Sequence, residues 1–505
     1  MRTNPGEDSR DPGATRLTRR QTLWHGAAGV AVVCSFDKLA SLSSAPSGRP
    51  GPVRRSEVAG LFEPFQAELP IPRVLEPDTQ GGVDRYAITM QEGTQEILPG
   101  LETPIAAYDG EFPGPTIRAQ VGRPVEVTHT NDLSSTTTVH LHGGHQREED
   151  DGALHEYYID PGADRTYHYP NEQPQATLWY HDHIHGSTGP HLNYGLLGCY
   201  LLDDENEPGN LPQGEYDVPL VMTDRSFNSD GSFNYSENWV PGFTGDTILV
   251  NGAVVPRMRV KRRLYRLRFV NASNARPYRL VLGNKRLMHQ IAGDGGLLDR
   301  PRNRRAIVLT SAERAEVLVD FSQFRPGSQL ILRNTLGGSG STKAVMRFDV
   351  EGGGGPEQFR VPNRLAWPEP TPAPRRTRQF ELALNESQTE WVINGQGFDE
   401  SRIDETPRLY TTERWRFVTS NHGSHNEPHP MHLHGCHFKV ISVNGQPPHP
   451  GDRGWKDTVN VPPGGEAVIE PYFKPFAGRF VYHCHIVEHG DRNMMGLMEI
   501  REDGS

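Results

Sequence analysis

Residues 482–494 read Tyr-His-Cys-His-Ile-Val-Glu-His-Gly-Asp-Arg-Asn-Met, and this stretch decides the fold. From His483 to Met494 it gathers a thiol, three imidazoles and a thioether into twelve residues, the ligand types that soft and borderline metals select. Two His and one Cys in a trigonal plane with a weak axial Met make a blue-copper electron-transfer site, and Cys484, His489 and Met494 supply three of those four. On a strand, successive side chains alternate, so Cys484 faces one way while His483 and His485 face the other. One short peptide then reaches two metal sites. With 22 His, 4 Cys and 10 Met in 505 residues, chance produces such a run on the order of 10⁻⁵ times per chain.

Outward from this stretch lie His140-Leu141-His142, His181-Asp182-His183 and His429-Pro430-Met431-His432-Leu433-His434. Singly, each His-x-His pair is weak, because this composition yields about one by chance and a hydrogen-bonded strand explains it equally well. Their order and partition carry the signal. Positions i and i+2 of a strand share a face, so each pair delivers two imidazoles to one cavity. Two segments near residues 140 to 183 and two near 429 to 494 can enclose a metal cluster where the two ends of the chain meet.

The four segments resemble, in order, the four copper-binding motifs of the multicopper oxidases, and the resemblance covers nearly the whole chain after about residue 57. It implies that His429, Cys484, His489 and Met494 bind a type 1 copper and that His140 and His432 hold a type 2 copper. It implies equally that His142, His181, His183, His434, His483 and His485 hold a type 3 pair, giving four coppers per chain. Leu141 and the segments 246–252, 293–296, 455–458 and 489–495 are similar to the branch of bacterial spore-coat laccases, bilirubin oxidases and phenoxazinone synthases. The activity implied is one-electron oxidation of phenols, aminophenols or bilirubin-type pigments coupled to reduction of O₂ to water. Small-molecule donors and O₂ are then the partners.

Two residues are catalytic candidates. Cys484 would pass each electron to its neighbours His483 and His485. Asp151 matches an acid that this branch places eleven residues after His140, a position suited to supplying protons, although Glu148-Glu149-Asp150-Asp151 also reads as a solvated charge run. The branch commonly has a second acid after the last type 1 histidine; Gly490 stands there, with Asp491 as the available substitute. Met494 alone would read as a core methionine, and Met495 beside it suits plain packing. His145, His155, His168, His185, His191, His422, His425, His437 and His449 match no motif position and are expected at the surface or in support of the sites. His422 and His425 precede His429 in a polar loop at the expected substrate mouth.

Competing functions are a cuprous or other metal-ion oxidase and a non-catalytic copper-binding envelope or coat component. The ten methionines are scattered, which disfavours a methionine-rich route for soft metal ions. A copper nitrite reductase would lack the full type 3 set.

A chain of 505 residues exceeds one sandwich core and suits about three domains. The 53 glycines and 42 prolines fit many short strands joined by turns. A net charge of -11 repels nucleic-acid phosphates. Residues 1–47 read as a twin-arginine export signal: Arg19-Arg20 precedes an apolar run from Leu23 to Phe36, too short for a membrane span. This points to the periplasm, cell envelope or exterior without integral membrane association. An unprocessed tail, or lipid attachment at Cys34, are the alternatives. Cys199 and Cys436 either pair in an oxidising compartment or sit singly as small buried residues.

Val125–Asn131, Tyr265–Asn271 and Trp415–Asn421 alternate apolar with polar residues and each end at Asn, an internal repeat of half-buried strands. Linkers are expected at 203–217 and 351–378, the second with Pro362, Pro368, Pro370, Pro372 and Pro374. The fold expected is all-β, three consecutive cupredoxin-like Greek-key β-sandwiches at 57–207, 216–350 and 376–505. The middle one, without ligands, would act as a spacer.

Overall fold

The computed structural model describes residues 62–207, 211–283, 285–336, 342–353, 362–419 and 427–502. The signal region, Cys34, His422 and His425 lie outside them. The described chain is built of strands, and its two α-helices are short, Thr188–Tyr194 and Val487–Asp491. Strands pair into six sheets, two within each consecutive third of the chain. Separate apolar cores fill these pairs, centred on residues such as Met90 and Tyr200, then Phe269 and Val317, then Phe417 and Phe480. The all-β, three-sandwich expectation holds.

The internal repeat has a structural meaning. Val125–Asn131, Leu264–Asn271 and Arg414–Thr419 occupy the same place in their sheets. Each pairs in parallel with its sandwich's early long strand, Val83–Leu98, Asp217–Arg225 and Thr377–Leu384 respectively. Each pairs antiparallel on its other side. In the first two the terminal Asn closes the strand; Asn421, which ends the third repeat, lies outside the described residues. Asn131 accepts from Leu133 N and donates to the Ser135 and Ile159 carbonyls, and Asn271 accepts from Ser273 N and donates to those of Arg276 and Leu309.

The burial of the middle repeat departs from expectation. Val125–Asn131 alternates buried and half-buried positions, but Leu264–Asn271 is buried throughout. Its polar face meets the first sandwich. Arg266 and Arg268 pair there with Glu207, Asp217, Glu316 and Asp203, satisfying charges that burial would otherwise penalise.

A second correspondence links the first and third sandwiches. Tyr180 and Tyr482, each immediately before a candidate histidine, lie across from Gly198 and Gly496 on the neighbouring strand. A Cβ at either glycine would fall 2.4 Å from the tyrosine ring. These glycines let the rings lie flat over the sheet, which fixes the strand end that carries the next histidine.

Candidate metal centres

Strand pairing brings the histidine segments together. His140–His142 runs antiparallel to Ala176–His181 with His140 opposite His181, and His429–Leu433 runs antiparallel to Gly478–Cys484 with His432 opposite His483. Eight imidazoles converge in one buried space. Donor atoms fall within 4.8 Å of one another in the sets His142, His181 and His485; His183, His434 and His483; and His140, His432 and His434.

Seven of the eight rings, all but His183, are oriented by a partner on the nitrogen that faces away from this space. Nδ1–H of His140, His181, His432 and His483 donates to the carbonyls of Asp151, Asp182, Asp457 and Cys484 at 2.8, 2.8, 2.8 and 3.0 Å. His434 Nδ1 donates to Asp151 Oδ2 at 2.8 Å. His485 Nδ1 lies 3.2 Å from Ser311 Oγ, whose own proton goes to the Ser273 carbonyl, so the hydroxyl accepts. His142 is reversed, its Nε2 donating to Asp457 Oδ1 at 3.0 Å. What remains are lone pairs. Nε2 of His140, His181, His432 and His485 and Nδ1 of His142 are buried without a hydrogen-bond partner, a costly arrangement unless a cation takes them. His434 and His483 press the point, because both carry their proton on Nδ1 while their Nε2 atoms stand 3.1 Å apart. Two acceptors at that distance repel, and a positive ion between them is the natural remedy. Burial holds His485 down to about 3 and His434 to about 4, so both imidazoles are neutral near pH 7, the form a metal ion takes.

The second centre lies on the other face of the same strand, as alternation requires. Cys484 Sγ is 3.6 Å from His429 Nδ1 and 3.5 Å from His489 Nδ1, and the two nitrogens are 3.2 Å apart. The centre of this triangle is about 2 Å from each atom, a metal–nitrogen bond length. His489 Nε2 donates to the Val240 carbonyl at 2.8 Å, leaving Nδ1 with the lone pair. Trp391 packs on His489 with centroids 4.4 Å apart. Met494 is fully buried in the same core as Cys484, and its carbonyl accepts from Cys484 N. Burial pushes the Cys484 thiol up, so the sulfur becomes a thiolate only when a cation offsets its charge.

The acidic run 148–151 is solvated at Glu149, half-buried at Glu148 and buried at its last two residues. Asp150 and Asp151 are 3% and 2% exposed. Asp151 accepts from His434 and from Gln146 Nε2; burial alone would raise its carboxyl, but His434 and His140 hold it below the usual range. Gly490 and Asp491 line a cavity of about 20 Å³ beside His181, His183, His483 and His485, room for about one water. The Asp491 carboxylate accepts from the backbone N–H of Gly186, Thr188 and Gly189.

Among the unmatched histidines, His155, His168 and His449 are exposed. His145, His191 and His437 are 5%, 0% and 5% exposed, which removes the surface reading for them. His437 Nε2 donates to the Gly143 carbonyl, bracing the turn after His142. Cys199 and Cys436 are buried free thiols in different cores.

Sequence reasoning missed Asp457, Arg314, Ser311, Val240 and Trp391. Asp457 and Arg314 are 0% and 1% exposed. Arg314 donates to both Asp457 oxygens at 2.7 and 2.6 Å, and to the Thr177 carbonyl. It thus ties all three sandwiches together behind His142 and His432. The middle sandwich is therefore more than a spacer: through Arg314, Ser311 and Val240 it holds candidate ligand rings in place. Segment 455–458 was visible as a motif, but nothing local in it announces a partner on residue 142.

Two family models, each described as multicopper oxidase, match residues 89–207 and 371–504. A laccase of Bacillus subtilis is 34% identical over 87% of this chain and 99% of its own length. A bilirubin oxidase of Albifimbria verrucaria is 33% identical over 88% and 82%. The crystal structure of a laccase from Pediococcus acidilactici superposes with a TM-score of 0.80 at 33% identity, covering 88% of this chain and 96% of that one.

Proposed function

Since the chain belongs to the multicopper oxidase family, copper-dependent oxidoreductases binding four coppers, we propose that it is a laccase-like oxidase of phenols, aminophenols or bilirubin-type pigments. The observation that carries this reading is the crowd of inward lone pairs, above all His434 and His483 with Nε2 atoms 3.1 Å apart. When bound, copper supplies one-electron transfer at the mononuclear site and reduction of O₂ at the cluster, where four electrons and four protons yield two waters.

The chain's own residues do the rest. His429, Cys484, His489 and Met494 would hold the mononuclear copper. His140 and His432 would hold the type 2 ion, His142, His181 and His485 one type 3 ion, and His183, His434 and His483 the other. Cys484 is peptide-bonded to His483 and His485, so the two sites share one backbone and the electron path needs no mobile carrier. Asp151 fixes the His434 ring and keeps a carboxylate against the cluster wall, where a proton can be relayed. The names of the relatives, laccase and bilirubin oxidase, support an organic donor. We also propose export by the twin-arginine route, on the strength of residues 18–36.

The test is a visible spectrum, a metal analysis and oxygen uptake on copper-loaded protein. Four coppers, an intense copper–thiolate band lost in Cys484→Ser, and O₂ consumption with an added phenol are expected. Copper-loaded protein with the band but no uptake for any phenol, aminophenol or bilirubin would make the chain a copper-binding component or a metal-ion oxidase.

A further inference from the structure

Away from the histidine centres, a cavity of about 260 Å³ lies between the middle and third sandwiches, close to the size of small-molecule sites. One side of it is apolar, formed by Val308, Leu309, Val440, Val443 and Val459. At its outer end it shares Arg304, Val308 and His449 with a more open cavity of about 350 Å³. That outer cavity also carries Arg279 and Arg305, and among the described residues no acidic one lines it.

The other buried cations of the inner cavity are matched. Lys456 donates to Asp294 and Glu313 at 2.8 Å each, and Arg314 to Asp457. Arg304 differs. It is 8% exposed, yet its guanidinium contacts are the Ala306 carbonyl, at 3.3 and 3.2 Å, and the His449 ring. Among the described residues no carboxylate reaches it within ion-pair distance; Asp452 acts on it through space while burial opposes its charge. Three of its five N–H groups are used. One remains on each of Nη1 and Nη2, able to donate to an anion's oxygens. A buried guanidinium with no carboxylate at ion-pair distance is unfavourable, and here it stands where an apolar chamber opens into a basic mouth.

We infer that this chamber binds a small organic anion, a carboxylate with an apolar body, its carboxylate on Arg304 and its body against Val308, Val440 and Val443. Neither electrostatics nor apolar contact alone accounts for the site; the junction of the two selects the ligand class. The binding does not depend on which donor the copper centres oxidise.

Calorimetric titration of the copper-loaded protein at fixed ionic strength tests this, with benzoate as the probe and acetate and inorganic phosphate for comparison. Benzoate should bind saturably, with acetate and phosphate at least tenfold weaker. Arg304→Gln removes the fork. Val308→Asp, at a position 48% exposed and so tolerant of change, puts a competing carboxylate beside it. Each should weaken benzoate at least tenfold while the copper–thiolate absorption and phenol oxidation stay unchanged. Absence of saturable benzoate binding, binding that survives both substitutions, or equal affinity for acetate or phosphate would each overturn the inference.

Discussion

Removing Asp457 should expose how the middle sandwich supports the cluster. Asp457 accepts from Arg314 at 2.7 and 2.6 Å, from His142 Nε2 at 3.0 Å and from Thr458 Oγ1 at 2.9 Å. Asp457→Leu leaves the buried Arg314 guanidinium with only Asp294, at 3.8 Å, as a nearby carboxylate, at a cost of up to about 3–5 kcal/mol. With a slope of about 2 kcal/mol/M, this corresponds to roughly 2 M of urea in the unfolding midpoint. Arg314→Met should cost a similar amount by stranding the carboxylate. The double variant Arg314→Met/Asp457→Leu replaces the pair with apolar bulk and should recover most of the loss. Copper separates the two roles of Asp457. His142 lacks its orienting partner in both Asp457 variants, so affinity at the cluster should fall about 10- to 100-fold in each, while the double variant is restored in stability alone. The assay is urea unfolding of the metal-free protein by tryptophan fluorescence, paired with copper retention against a chelator. Single variants within about 0.3 M of the parent midpoint, or a double variant with parental copper affinity, would refute the reasoning.

Asp217 is held down to about 2, because Arg268, Arg266 and Arg118 outweigh the burial that would raise it. Its folded value lies below the unfolded one, so its stabilisation is present above about pH 4 and is lost as pH falls toward 2. The stability gap between the parent and Asp217→Asn should therefore close across that window in urea melts, and a constant gap would count against it. Gly198→Ala and Gly496→Ala place a Cβ 2.4 Å from Tyr180 and Tyr482 and should each cost about 1–3 kcal/mol. Gly490→Ala meets Cys484 O and His483 Nδ1 at 3.5 and 3.7 Å, so its thermal unfolding should match the parent; equal losses at all three positions would sink the packing argument. Ser311→Ala takes the acceptor from His485 Nδ1 and should weaken copper retention about tenfold with unfolding shifted by about 1 kcal/mol; unaltered retention would show that the hydroxyl does not orient the ring.

The sequence alone carried the strand chemistry. Period two puts Cys484 on one face and His483 on the other, and it makes each His-x-His pair a two-ligand unit, because alternation is a property of the extended backbone. The repeated strands ending at Asn131 and Asn271 were legible for the same reason. Tertiary structure decided the rest. Which nitrogen of His142 is left free depends on Asp457, 315 residues away. The half-buried pattern expected of 265–271 failed because its polar face meets another sandwich, and Asp151 proved a buried partner of His434 inside what reads locally as a charge run. Hydrogen-bond partners contributed by distant loops leave no periodicity in a chain, so they become visible only when folding brings the ends together.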